Sequence, residues 1–221
     1  MHVLTWNLFH GRAVPEINHS LLDEFTDMIT SWPWDVALLQ EVPPWWPAPL
    51  ARAAGAEHRT VLTSRNALLP LRRWIAERRP DLIKSNGGGS NAILVRGAGI
   101  TAHATHRLRF RPERRYLHAV RLGDGTWMGN VHAQANPKPL ARADMAAAGA
   151  TLARWAGDAP ALLGGDANVA DPAVDGFEDI GGHRIDRFFV RGGLQAVTPP
   201  RTLPRDGLSD HAPVLVPLRT S

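Results

Sequence analysis

The sequence contains no cysteine, and Lys84 and Lys138 are its only lysines among 221 residues. Without cysteine the chain can form neither disulfide bonds nor thiolate metal sites, and it has no cysteine nucleophile. No apolar run approaches the roughly 20 residues that a membrane-spanning helix needs. The first residues also lack the basic and then apolar stretch of a signal peptide. We therefore expect a cytoplasmic protein without stable membrane association.

What remains is typical of a globular enzyme. Apolar residues make up 44% of the chain and charged residues 21%, which does not fit disordered or fibrous proteins. A chain of this length can bury most of its apolar surface around one core. We predict one catalytic domain over residues 1–221, for which a monomer would suffice.

Arginine supplies nearly all the positive charge of a chain whose formal net charge is +4. The guanidinium group stays charged and its planar fork matches phosphate, so this bias favours polyanionic partners. A biased base composition of the genome would produce the same pattern. Both interpretations stay open on composition alone.

Apolar periodicity predicts strands and helices that alternate early in the chain. Residues 3–6 and 35–39 form short apolar runs typical of buried strands. Between them, apolar residues recur at three- and four-residue steps from position 22, which indicates an amphipathic helix with Ser20 as its N-cap. Further helices are predicted over 68–78 and 140–155. The other predicted strands are 92–95, 101–110, 116–122, 126–131, 161–163, 185–190 and 214–218.

Polar residues that can bind a metal ion or phosphate follow several of these strands. They are Asn7, Glu41, His132, Asp166 and Asn168. Taken one at a time, each fits an ordinary role, such as a solvated carboxylate, an edge histidine or a turn in which aspartate bonds its own backbone. Their repetition at the ends of four strands favours a shared site at one edge of a rigid sheet.

Two further residues near the C-terminus suggest a carboxylate and imidazole pair. Asp186 stands in an otherwise apolar strand, where an ionised carboxylate is unfavourable unless it has a partner. His211 follows Ser209 and Asp210 just before the last strand. A buried carboxylate commonly fixes the tautomer of such a histidine, and Asp186 could be that carboxylate.

In this order, the motifs resemble those of the endonuclease/exonuclease/phosphatase superfamily, whose members include deoxyribonuclease I-like nucleases, sphingomyelinases and inositol phosphatases. The motifs span nearly the whole chain. They are Thr5-Trp6-Asn7, Leu39-Gln40-Glu41, Gly129-Asn130-Val131-His132, Gly165-Asp166-Ala167-Asn168, Arg184-Ile185-Asp186 and Ser209-Asp210-His211. The resemblance implies an α/β (α+β) fold, a four-layer αββα sandwich in which two packed mixed β-sheets are flanked by helices.

The same resemblance implies a metal site. Glu41 would be the main ligand, supported by Asn7 and Asp210, with water completing the shell. Oxygen ligands suit Mg²⁺ or Mn²⁺.

The resemblance also assigns roles to the remaining motif residues. Asp166 would orient or deprotonate the attacking water, and Asn168 would hold phosphate or a second metal ion. His211, paired with Asp186, would bond a non-bridging phosphate oxygen, and His132 would assist the leaving group or bind phosphate. We expect Arg115 to bind substrate phosphate as well.

These inferences predict a divalent-metal-dependent phosphoesterase. Among such enzymes, they favour a nuclease that acts on DNA or RNA. Clusters of arginine interleaved with Trp74 and Tyr116 could follow a nucleic-acid backbone and stack bases. They are Arg72-Arg73, Arg78-Arg79, and Arg107, Arg109, Arg111, Arg114 and Arg115. The same clusters could equally be solvated surface. The alternatives are a phosphatase or phosphodiesterase for a small-molecule or lipid phosphate, and a binding module that has lost its chemistry.

Overall fold

The computed structural model describes residues 1–220, with the side chain of Asp81 left out, so Ser221 of the predicted domain lies outside it. The helices are α1 (Leu22–Ser31), α2 (Pro47–Ala53), α3 (Leu69–Arg78), α4 (Pro80–Ile83) and α5 (Lys138–Ala156). The strands are β1 (His2–Asn7), β2 (Val36–Val42), β3 (Glu57–Leu62), β4 (Ser90–Val95), β5 (Ile100–Arg109), β6 (Arg115–Leu122), β7 (Trp127–His132), β8 (Ala161–Asp166), β9 (Glu178–His183), β10 (Asp186–Arg191), β11 (Leu194–Ala196), β12 (Arg201–Thr202) and β13 (Val214–Thr220). None of the helices in residues 1–220 is long and apolar enough to cross a membrane.

The strands form two mixed sheets. The first runs in the order β11-β13-β1-β2-β4-β3, with β12 beside β13, and the second in the order β5-β6-β7-β8-β10-β9. Each sheet contains a parallel pair at its centre, β1 with β2 and β7 with β8, and the neighbouring strands run antiparallel. The polar ends of β1 and β2, and those of β7 and β8, therefore lie at the same edge of their sheets.

Three apolar clusters separate four layers. One lies between the two sheets and contains Leu38 and Phe188. A second packs α1 and α2 against the outer face of the first sheet, and a third packs α5 against the outer face of the second. The predicted αββα sandwich is confirmed.

Several details differ from the sequence predictions. Ser20 does not cap α1, because the residue before the helix is Leu21 and this position makes no side-chain capping bond within residues 1–220. The elements α2, α4, β3, β9, β11 and β12 were not predicted. Most of them are short or half-exposed, so they carry little apolar periodicity.

A β-bulge aims Glu41 out of the sheet. On β2 both Gln40 and Glu41 lie opposite the single residue Asn91 of β4, where the register of the pair shifts. Glu41 has a φ of 50°, a left-handed conformation that is uncommon for residues other than glycine. The bulge turns the carboxylate toward the end of the strand, while Gln40 stays fully buried between the sheets.

A buried pair of amides fastens this bulge to the second sheet. Gln40 Nε2 donates to Asn130 Oδ1 at 2.8 Å. Asn130 Nδ2 in turn donates to the carbonyl oxygens of Leu39 and Ala92, each at 2.9 Å. These bonds hold the two sheets in one relative position directly beneath the strand ends that carry the predicted site.

Gly165 provides a test of how tightly the second sheet is packed at this edge. Its φ is +137°, and a Cβ added there would lie 2.0 Å from the carbonyl oxygen of Val131 on β7. We expect Gly165→Ala to lower the free energy of unfolding by about 2–5 kcal/mol, through backbone strain and overpacking together. Urea unfolding followed by circular dichroism measures this change.

The matched control is Gly55→Ala. Gly55 also has a positive φ, 62°, but an added Cβ meets no atom of the described residues within 4 Å. Its expected loss is about 1–2 kcal/mol, from the backbone conformation alone. Equal losses in the two variants would contradict the packing described for Gly165.

Candidate active site

An open cleft of about 290 Å³ lies where the polar strand ends of both sheets meet. Its walls include all but one of the residues predicted for the site: Asn7, Glu41, Arg115, His132, Asp166, Asn168, Asp210 and His211. The remaining one, Asp186, lies behind His211 and is buried. Residues from β1, β2, β6, β7, β8 and the loop before β13 are thus brought together.

The position of Asp166 follows from strand register. It is paired with His132 on the parallel strand β7 and with Asp186 on the antiparallel strand β10. Across the sandwich, Asn7 Nδ2 donates to Asp166 Oδ2 at 3.0 Å, and the backbone N–H of Asn168 donates to Oδ1 at 2.9 Å. Asp166 is therefore fixed by four neighbours from both sheets.

The residues beside the predicted ligands hold the loop that carries His211. Ser209 is fully buried, and its hydroxyl donates to the carbonyl oxygen of Asn7 at 2.6 Å and accepts from the His211 N–H at 3.0 Å. Trp6 Nε1 donates to the His211 carbonyl oxygen at 3.0 Å. The flanking residues of the Thr5-Trp6-Asn7 and Ser209-Asp210-His211 motifs thus fasten the C-terminal loop to β1.

His211 and Asp186 form the predicted carboxylate–imidazole pair. Asp186 Oδ2 lies 2.8 Å from His211 Nδ1, and the opposite ring nitrogen, Nε2, lies 3.8 Å from Asp166 Oδ2. Burial alone would lower the pKa of His211. The hydrogen bond and charge of Asp186, together with the charges of Asp166 and Asp210, outweigh burial and raise that pKa to about 9. His211 is therefore a protonated donor at neutral pH.

Whereas His211 is a donor, Asp166 is a carboxylate that can accept a proton. Burial and then the charge of Asp186 raise its pKa to about 7, against the lowering effects of His211 and of the hydrogen bonds from Asn7 and Asn168. A base is most effective when its pKa lies near the working pH. Asp166 meets that condition.

His132 faces both key carboxylates but is uncharged. Its Nε2 lies 3.5 Å from Asp166 Oδ2 and 3.7 Å from Glu41 Oε1. Burial, followed by the positive charges of Arg115, His211, His10 and Arg65, lowers its pKa well below the ordinary value. His132 therefore acts as a neutral hydrogen-bonding group rather than as a cation.

The three predicted metal ligands line the same cleft and supply only oxygen. Glu41 and Asp210 contribute carboxylates, and Asn7 Oδ1 keeps one lone pair after accepting the N–H of Phe9 at 2.9 Å. A hard cation such as Mg²⁺ or Mn²⁺ fits this donor set. Asp166, Asp186 and His211 also offer ligand atoms within 4.8 Å of one another, but the direct bond between Asp186 and His211 occupies that group.

Arg115 is the arginine most clearly directed to the cleft. It is almost fully buried, it pairs with Glu113, and its Nε has no partner within residues 1–220. Glu113 also pairs with Arg65, so two guanidinium groups share one carboxylate beside Glu41 and His132. The two guanidinium groups exceed the charge of Glu113 by one positive charge, and guanidinium groups bind phosphate through charge-assisted hydrogen bonds.

The other arginines of the predicted nucleic-acid surface differ in whether a carboxylate of the protein already binds them. Arg109 contacts the buried Asp144 of α5 at 2.9 Å and so serves the fold. On α3, Arg73 pairs with Glu77, whereas Arg78 lies over the ring of Trp74, which is 55% exposed. Only part of the sequence pattern is therefore available to a polyanion.

Four ionisable residues that line the cleft were not predicted from the sequence: His10, Arg12, Arg65 and Glu113. His10 and Arg12 follow Asn7 in a loop without periodicity, and Arg65 and Glu113 stand in turns. A histidine three residues beyond a strand-end asparagine was the one available signal. Nothing in the spacing connects Arg65 with Glu113.

A family model described as the Endonuclease/Exonuclease/phosphatase family matches residues 4–211. The chain belongs to this family. Its members are phosphoester hydrolases that generally depend on a divalent metal ion, and the matched range includes every motif described above. A comparison with curated proteins finds no match.

Solved structures of the family share the fold. A Bacteroides vulgatus endonuclease/exonuclease/phosphatase is 15% identical with a TM-score of 0.72, over 100% of this chain and 98% of that one. A mannosyl-6-phosphatase, Bt3783 of Bacteroides thetaiotaomicron VPI-5482, is 16% identical with a TM-score of 0.69, over 99% of both chains. Caenorhabditis elegans TDP2 is 16% identical with a TM-score of 0.68, over 98% of this chain and 73% of that one.

The effect of Asp186 on the pKa of His211 can be measured directly. In chelator-treated protein we expect the His211 imidazole to titrate at about pH 9, as followed by NMR of the histidine ring. Asp186→Asn removes the hydrogen bond and the charge that are the largest effects raising this pKa, so the pKa falls below about 9, while Asp166 and Asp210 still oppose burial. Asp158→Asn, a change in an exposed loop, is the control and leaves the titration in place. A wild-type His211 that titrates near 6.5 would refute the assignment.

Proposed function

We propose that this protein is a divalent-metal-dependent phosphodiesterase that hydrolyses DNA or RNA. One observation carries the proposal. A buried carboxylate with a pKa of about 7, Asp166, lies between a protonated imidazole, His211, and the neutral His132 that also faces Glu41. A base, a cationic donor and a metal ligand on one cleft wall are the parts that phosphoester hydrolysis requires.

Glu41, Asn7 and Asp210 would hold the metal ion. When bound, a divalent cation neutralises phosphoryl oxygens and so reduces their repulsion of the nucleophile. Each of the three side chains lines the cleft that also contains Asp166, so the cation and the base would act on the same phosphate. This assignment rests on the oxygen ligands that the three side chains offer and on their positions in one cleft.

Asp166 accepts a proton from the attacking water as the water oxygen bonds to phosphorus. The bond between phosphorus and the leaving oxygen breaks, and that oxygen takes its proton from solvent. His211 donates a hydrogen bond from Nε2 to a non-bridging oxygen, where negative charge grows. Between pH 7 and pH 9 Asp166 is ionised and His211 is protonated, so both are in the required state.

His132, Asn168 and Arg115 would position the phosphate. His132 is neutral, so it contributes a hydrogen bond rather than a proton to the departing side. Asn168 has a φ of 54°, its Nδ2 bonds the Ala133 carbonyl oxygen at 2.9 Å, and its backbone carbonyl accepts from Lys138 at 2.7 Å. Such double anchoring keeps the amide oriented toward the substrate.

The choice of a nucleic acid rests on charge and shape. The cleft is open, and Arg12, Arg65 and Arg115 line it. The exposed Trp74 on α3 offers a stacking surface with Arg78 over its ring. The alternative is a phosphatase for a small phosphorylated molecule. It is supported by the likeness to the mannosyl-6-phosphatase, which covers nearly all of both chains.

A substrate panel tests the proposal. We expect hydrolysis of DNA or RNA with Mg²⁺ or Mn²⁺ and none with a chelator. Asp166→Asn and Glu41→Gln should each reduce kcat by about a hundred- to a thousand-fold, since each removes one electrostatic element of the site. Asp158→Asn is the surface control and retains full activity.

The same panel includes a hexose 6-phosphate, phosphoinositides and sphingomyelin. Hydrolysis of one of these, with no cleavage of nucleic acid, would replace the nuclease proposal by the alternative. Absence of metal-dependent hydrolysis on every phosphoester, or full activity of Asp166→Asn, would refute the phosphoesterase proposal.

A further inference from the structure

A second imidazole, not part of the predicted ligand set, lies beside Glu41. His10 Nε2 is 3.2 Å from Glu41 Oε2, and the side chains of His10 and Glu41 are 10% and 22% exposed. Glu41 Oε1 faces the other imidazole, that of His132, at 3.7 Å. The main predicted metal ligand thus has ring nitrogens on both sides, and His10 is the nearer.

The tautomer of His10 is determined by its other nitrogen. Nδ1 lies 3.2 Å from the carbonyl oxygen of Gly88. A carbonyl oxygen only accepts hydrogen bonds, so Nδ1 carries the proton, and in the neutral ring Nε2 then presents a lone pair toward Glu41. Metal-binding histidines are typically held in this way, by a backbone carbonyl on the nitrogen that does not bind the ion.

Local backbone structure aims His10 at this position. His10 has a φ of 55° and a ψ of 28° within a short 3₁₀ turn, and Glu41 has a φ of 50°. Two residues whose backbones have the left-handed conformation therefore place their side chains in contact. Strain of this kind is concentrated at functional sites.

The glycine-rich loop at 86–89 supplies the carbonyl that orients the ring. Gly88 has a φ of +109°, and a Cβ there would lie 2.8 Å from Asn66 Oδ1. Only glycine allows this close approach without displacing Asn66. The loop therefore helps to orient the His10 ring.

We propose that His10 Nε2 binds the same divalent cation as Glu41, which makes the centre a mixed nitrogen and oxygen site. Adjacent ligands of an octahedral ion with bonds of about 2.1 Å lie about 3 Å apart, close to the spacing of His10 Nε2 and Glu41 Oε2. The inference rests on the proposed metal site and extends its ligand set.

A nitrogen ligand changes which ion the site prefers. Imidazole favours first-row transition ions, whereas Mg²⁺ favours an all-oxygen shell. The site should therefore prefer Mn²⁺ to Mg²⁺ more strongly than an oxygen-only set would.

The competing interpretation is that His10 is protonated and forms an ion pair with Glu41. The two interpretations predict opposite effects of removing the imidazole. An ion pair competes with the cation for Glu41, so its loss would leave Mn²⁺ binding unchanged or tighter. Loss of a ligand would weaken Mn²⁺ binding.

Pulsed electron paramagnetic resonance of the Mn²⁺-loaded protein detects a bound ring nitrogen directly, without any substrate. We expect ¹⁴N modulation in the wild type and its loss in His10→Gln, with Mn²⁺ affinity in titration calorimetry reduced about tenfold or more. Affinity for Mg²⁺ should fall less. His132→Gln is the matched control, because it removes the other imidazole next to Glu41, and it should keep the modulation.

Modulation that survives in His10→Gln, or a wild type that binds Mn²⁺ without it, would overturn the inference and leave the proposed hydrolysis standing. A wild type that binds no Mn²⁺ would overturn both. Thermal unfolding in chelator, equal for wild type and His10→Gln, shows that the variant is folded. Should it unfold early, His10→Asn is measured in its place.

Discussion

The site depends on the bonds that hold the two sheets together beneath it. Gln40 from the first sheet donates a buried hydrogen bond to Asn130 from the second, and Asn130 in turn donates to the carbonyl oxygens of Leu39 on β2 and Ala92 on β4. A shift of the sheets would leave the buried Nδ2 group of Asn130 without its acceptors, which is strongly unfavourable, so these bonds specify one relative position of the sheets. Glu41 projects from the same bulge. It lies next to His132, which follows Asn130 by two residues on β7.

With the sheets fixed, the electrostatics follow from burial. Asp166 and Asp186 occupy paired positions on β8 and β10, so their charges repel, and His211 lies against both. Burial and then this repulsion raise the pKa of Asp166. Burial alone would lower the pKa of His211, but the two carboxylates outweigh it and raise that pKa. One cluster thus supplies both a proton acceptor and a cationic donor, as divergent pKa values at active sites commonly do.

The sandwich could be predicted because the motifs resemble those of the family, and several site residues could be predicted because they lie at the ends of buried strands. Asn7, Glu41, His132 and Asp166 each end an apolar run, a pattern that is visible without coordinates. His10 and Arg65 escape prediction because loops and turns bring them to the cleft, and loop conformation depends on tertiary contacts such as that of His10 with Gly88. The bulge at Glu41 is hidden for the same reason, since register depends on the partner strand.

The central claim is that side chains scattered from the first strand to the last converge on one cation beside Glu41. Crystals soaked in Mn²⁺ and measured at the manganese absorption edge locate that ion by anomalous scattering. We expect a peak in the cleft, in contact with Glu41. A peak between Asp166, Asp186 and His211 instead, or none in the cleft, would contradict it.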